Sequence, residues 1–148
     1  MKTTVSKVWK GSEVKVAGRK VTGKSAYEIG LIVEGQAKLL APKDTGYLAA
    51  SITTQAFGGL GTVPDAPSIH GSGDNKIGLA ILDMIIQSPA TDNEVHVGTP
   101  LFYAPYVEFG TVNSDAQAFL RPSLDLAKGK TLTILEHNSR MQFAEYMK

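Results

Sequence analysis

The sequence predicts an α+β fold, on three observations. Ala26, Ile29, Val33, Ala37 and Leu40 recur at three- and four-residue spacing, one buried stripe on a helix from about Ser25 to Leu40 or Ala41. Val95 and Val97 alternate with Glu94 and His96, which is the pattern of a half-buried strand over Glu94 to Thr99. From Pro122 to about Tyr146 helical spacing returns, with Leu124, Ala127, Ile134, Leu135 and Met141 on the inner side and Gly129 as a place to bend.

The chain has 148 residues, read as a single domain over 1–148. That length buries about 68 to 70% of the unfolded chain's surface, so no staple is required. There is no cysteine, which removes disulfides and thiolate ligands. No signal-like segment and no apolar run of roughly 18 residues occurs, so the expectation is a soluble protein made in the cytoplasm and not held in a membrane. The formal net charge is +1, which argues against general nucleic-acid affinity, but the charges are segregated. Residues 1–43 carry nine Lys or Arg against Glu13, Glu28 and Glu34, whereas residues 44–120 carry only Lys76 against eight acids. Opposed patches of this kind suit a head-to-tail contact between subunits, closing a ring or extending a filament.

Residues 1–23 are read as an amino-terminal β-hairpin, with Gly11-Ser12 as a type II′ turn between Val5 to Lys10 and Glu13 to Ala17. Trp9, Val14 and Val16 would then share a face, with Trp9 a core plug or an interface anchor. Within the helix from Ser25, Gly30 and Gly35 each cost about 0.5 to 1 kcal/mol relative to alanine, which suggests close approach of a neighbour. Pro42 stops that helix, and Asp44, Thr45 and Gly46 supply turn chemistry, Gly46 being free to take positive φ.

A strand is expected from Leu48 or Ala50 to Gln55, since Ser-Ile-Thr-Thr favours extended backbone. Residues 56–93 are read as an insertion, with a long projecting loop from Phe57 to Asn75 that is rich in Gly, Pro, Ser and Asp. Lys76 to Gln87 reads as a helix with Lys76, Asp83 and Gln87 on one face, or alternatively as a buried strand. Pro105 suits the first turn of a short helix within Leu101 to Phe109 that Gly110 ends, and residues 111–118 form a polar loop. Pro122 then opens the final helix, where Asp125 complements the dipole.

Candidate chemistry is sparse. Asp44-Thr45-Gly46 is the tripeptide of aspartic proteases, where two carboxylates share a proton, so one copy would work only in a homodimer. The triplet follows a helix here instead of an apolar strand, and an Asx-type turn is the better reading. His70, His96 and His137 lack paired metal-ligand spacing. No nucleophile elbow, phosphate loop or dinucleotide fingerprint is present. Glu108 is suited to accept amide hydrogen bonds in the turn after the short helix, while a general-base role would need a partner that the sequence does not offer. The expectation is a protein that is not an enzyme, with no catalytic residue, metal or cofactor.

Four ordered blocks nevertheless form a pattern: Ala-Pro-x-Asp-Thr-Gly-x-Leu-x-x-Ser-Ile at 41–52, Val-x-Val-Gly at 95–98, Tyr-Ala-x-Tyr-Val-Glu-Phe-Gly-Thr at 103–111, and Phe-Leu-Arg-Pro-x-Leu at 119–124. Together they resemble the tail-completion family of long-tailed bacteriophages and prophages, minor virion components of the neck. The resemblance covers roughly residues 25 to 145. It implies two principal helices packed on an antiparallel or mixed sheet, and assembly as a ring, commonly sixfold, between a head-closure protein and the tail terminator or tail tube. DNA would pass through such a ring without sequence-specific recognition, and the protein would reside in the virion. The hairpin over 1–23 and the 56–93 insertion depart from the family's compact form. Asp44, Thr45, Gly46 and Tyr47, with Tyr103, Tyr106, Glu108, Phe109 and Gly110, are the candidate interface, because both stretches carry turns and aromatics. The alternative for Tyr103, Tyr106 and Phe109 is burial in the core. A terminator that caps the tail tube is the second functional reading, and the protease a remote third.

Overall fold

The computed structural model describes residues 10–44, 46–62 and 86–144. Its spine is α1, Gly11–Leu40, a helix of 30 residues. Ala17, Val21 and Ser25 are buried along its first half, and Gly30, Val33, Glu34 and Ala37 along its second. Four-residue steps place the first set on one stripe, and the second set occupies a different side, so the helix buries opposite flanks at its two ends. The carboxy-terminal helices α4, Leu120–Lys128, and α5, Thr131–Phe143, lie along α1. The sheet and the short helix α2, Tyr47–Ser51, pack on α1 as well.

The expected amino-terminal hairpin is corrected by this arrangement. Glu13 to Ala17 is helical, and Val14 and Val16 are both exposed instead of sharing a buried face. Helix formation from Gly11 is favoured by burial of the Ala17–Val21–Ser25 stripe, whose Ser25 meets Asn138 of α5; tertiary burial, more than propensity, sustains such a segment. The rest of the hairpin's first strand, with Trp9, lies outside the described residues, and its last residue, Lys10, precedes α1 as the N-cap.

At the other end, Ala41 leaves helical geometry at ψ 135, as the residue before Pro42 must. Gly46 takes φ 78 and opens α2. The strand expected from Leu48 or Ala50 is therefore shorter: Tyr47–Ser51 is helical and β1 spans only Thr53–Ala56. Leu48, Ser51 and Ile52, buried at spacing three and four, face the core; alanine and serine between them blurred that period into an alternation.

β1 pairs antiparallel with β2, Val95–Gly98, in the register Thr54 to Val97. As expected, Val95 and Val97 are partly buried and His96 is exposed. Phe57–Gly59 forms a 3-10 turn, after which residues 60–62 return along the other edge of β1, with Ala56 N–H donating to Leu60 C=O and Thr62 N–H to Thr54 C=O. The remaining loop to Asn75 and most of the Lys76 to Gln87 segment lie outside the described residues; Ile86 and Gln87, its last two, are not helical. Among the described residues α1 is the one principal helix on the sheet, because α4 and α5 find their main contacts on α1.

Gly30 is where α1 meets the sheet. A Cβ there would stand 2.8 Å from Thr54 Cγ2 and 2.8 Å from Val95 Cγ2. The close approach expected of Gly35 is not found, since nothing lies within 4 Å of a Cβ built on it. Thr62 Oγ1 then joins three pieces, donating to Glu34 Oε2 at 2.7 Å and accepting from Thr54 N at 2.8 Å.

The final helix is broken at Gly129 and Lys130 into α4 and α5. Ala127 is buried as expected and Ile134 and Leu135 partly so, but Leu124 and Met141 are exposed. Buried Asn138 supplies the link to α1 instead, with Nδ2 donating to Ser25 Oγ and Glu28 Oε2.

Candidate functional site

The core on which the candidate residues converge contains Ala37, Ala41, Leu48, Ile52, Ala104 and Phe119, with Val97, Tyr103, Val107 and Leu120 packed against it. Each of the four ordered blocks contributes to it. The stretch after α1 and the stretch around the short helix α3, Ala104–Phe109, thus meet through Leu48 and Ala104.

α3 begins with Pro105 in its first turn and ends at Gly110, both as expected. Gly110 has φ 76 and ψ 179, and a Cβ on it would lie 2.8 Å from the Ala116 amide nitrogen, so the returning 111–118 loop leaves no space for a side chain. That loop is held by Thr111 and Ser114, which exchange backbone hydrogen bonds, and by Gln117 N–H donating to Val107 C=O.

Glu108 sits at the centre of this arrangement, 4% exposed. Its Oε2 accepts the amides of Phe119 at 2.8 Å and Leu120 at 2.9 Å, and its Oε1 accepts the Arg121 amide and the Arg121 Nε, each at 3.0 Å. Arg121 also donates through Nη2 to the Glu108 carbonyl at 3.0 Å. These amides open α4 and have no partner within the helix, so the carboxylate caps it from a distance in sequence. Burial pushes the Glu108 pKa up, but the three amides and the guanidinium outweigh burial and hold the group below the ordinary carboxylate value. The amides it accepts thus belong to the start of α4 and not to the turn directly after α3. Its four acceptor contacts leave no free lone pair aimed at a substrate, which makes it a clamp.

The aromatics divide. Tyr103 is half-buried on the core with Phe102 edge-on at 5.6 Å between ring centroids, and burial raises its phenol pKa. Tyr106 and Phe109 are 60% and 66% exposed, so the core alternative fails for both. The Arg121 guanidinium covers one face of Phe109, 4.6 Å from its centroid. Asp44 is exposed in the bend after α1, Tyr47 is half-buried, and Thr45 lies outside the described residues. The Asp-Thr-Gly stretch joins two helices instead of ending a strand.

His96 is exposed on β2 with Nδ1 2.7 Å from the Gln87 carbonyl, His137 is exposed on α5, and His70 lies outside the described residues. Among the described residues no three His, Asp or Glu side chains cluster as metal ligands, and no helix is long and apolar enough to cross a membrane. Two features escaped the sequence reading: Arg121, which closes the clamp, and Phe102, which is 82% exposed. The spacing Phe102, Tyr106, Phe109, by four and then three, was the available signal for the second.

No protein-family model, no curated protein and no solved structure matches this chain.

Proposed function

We propose that this protein is a structural component of a tailed phage or prophage virion, a tail-completion protein that joins head to tail as a ring at the neck. The observation that carries the reading is that the four blocks bearing the resemblance meet physically. Leu48, Ile52, Val97, Tyr103, Ala104 and Phe119 share one core, and Glu108 of the third block caps the helix opened by the fourth. Blocks separated along the chain are thereby the parts of one fold-defining unit. Exposed Tyr106 and Phe109, with exposed Asp44 between α1 and α2, are the surface assigned to contacts with neighbouring proteins. The work required is complementarity between copies, the head-closure protein and the tail terminator or tube, with DNA passing through and no bond made or broken.

Deleting the coding sequence and imaging lysates by electron microscopy tests this. Complete heads beside unattached tails of normal length are expected. Overlong tails would assign the protein as a terminator instead, and a normal yield of joined particles would refute both roles.

A further inference from the structure

The aromatic side of α3 and the first half of α1 are two exposed surfaces of opposite character. Tyr106 and Phe109 stand one above the other on α3, and Phe102 projects from the turn before it. Val112, fully exposed, follows in the loop after α3, where Asp115 also lies. From residue 86 to residue 120 there is no Lys or Arg. On α1, by contrast, Lys15, Val16, Arg19 and Lys20 form one exposed ridge at three- and four-residue spacing. Lys10 and Lys24 are paired with Glu13 and Glu28, but the three ridge cations make no ion pair with a described residue.

We propose that the aromatic face of α3 docks on the Lys15–Lys20 ridge of a second copy of this chain. Ring faces attract guanidinium and ammonium groups, and Val16 offers apolar surface between them. The chain already makes this contact once internally, Arg121 over Phe109. Phe102 and Tyr106 are left for a cation from outside. The two surfaces cannot meet within one copy. Ala37 packs in the same core as Ala104, and Arg19 is about 27 Å farther along α1 at its rise of roughly 1.5 Å per residue. Pairing them therefore requires a head-to-tail contact, which uses different patches on the two subunits and repeats from copy to copy. This rests on the ring reading and names the surfaces that would make it.

The test uses the full chain in native mass spectrometry, with two double variants, Phe102→Ser/Tyr106→Ser and Val16→Ser/Arg19→Glu. All four positions are exposed, and circular dichroism confirms the fold of each variant. The unsubstituted chain is expected to self-associate, and each variant to do so at least about tenfold more weakly. Mixed together, the two variants are expected to form a one-to-one dimer and nothing larger, because each retains one intact half of the contact. A chain that stays monomeric, oligomers unmoved by either variant, or a mixture without the dimer overturns the proposal. So does an Arg19→Glu effect confined to binding of a DNA duplex, which would make the ridge a polyanion surface. Any of these failures leaves the neck assignment standing if deletion still yields separate heads and tails.

Discussion

Glu108 accepts the Phe119 amide at 2.8 Å, tying the end of α3 to the first turn of α4 across an exposed loop. Phe119 is itself completely buried, so the carboxylate holds both a helix start and the side chain that anchors it in the core. Glu108→Ala is expected to cost about 2 to 3 kcal/mol, since it strands several amides and removes the partner of Arg121. Chemical denaturation of the two proteins measures this directly, and a loss below about 0.5 kcal/mol would mean that water replaces the clamp.

The same group sets an acid limit. Because its folded pKa lies below its unfolded value of about 4.3, its contribution is fully present above that pH and is lost as pH falls through the folded pKa. Glu108→Gln should therefore be less stable than the natural chain at neutral pH, with the gap narrowing in acid. Denaturation midpoints at neutral pH and below about pH 4 would decide it. An unchanged gap would remove the carboxylate's charge from the account.

Two glycines of α1 should respond in opposite directions. Gly30→Ala forces a methyl group against Thr54 and Val95 and is expected to destabilise by about 1 to 3 kcal/mol, after any gain in helix propensity. Gly35→Ala meets open space and should stabilise by about 0.5 to 1 kcal/mol. Thermal melts of the pair separate contact from propensity.

That contrast also marks how much could be read from the sequence. The second half of α1, β2, α3 and the turns at Pro42, Gly46 and Gly110 were legible because each carries a local signal: a stripe, an alternation, a proline or a glycine. The first half of α1 was not. Gly11-Ser12 and the alternate Val14 and Val16 imitate a hairpin, and the competing stripe of Ala17, Val21 and Ser25 gains its meaning only when the carboxy-terminal helices pack on α1. Gly30 and Gly35 are indistinguishable in sequence, and only the position of the sheet separates them. Glu108 was recognisable as an amide acceptor, but the amides it serves come after a polar loop, and no periodicity links them.

α5 should be less firmly held than α1 itself. Asn138 is its sole buried residue, and the Asn138 Oδ1 is buried without a hydrogen-bond partner among the described residues. A contact with so little apolar burial opens readily. Hydrogen exchange is expected to be faster over Thr131–Phe143 than over Val21 to Ala37 of α1, and equal protection would contradict this.

Asp44 provides a control on chemistry. It is exposed in a bend between two helices, so Asp44→Asn should change stability by less than about 0.5 kcal/mol, as chemical denaturation would measure. A larger loss would mean that the carboxylate holds the bend, and hydrolysis of a peptide substrate that Asp44→Asn abolishes would return it to consideration as a reacting group.

The most direct measurement of the neck assignment is cryo-electron microscopy of a particle that carries this protein, with mass spectrometry of its purified virions. The account predicts a ring at the head-tail junction whose subunit density fits α1 with the Glu108-capped α4 beside it. Virions that lack the chain, or junction density with an unrelated fold, would contradict it.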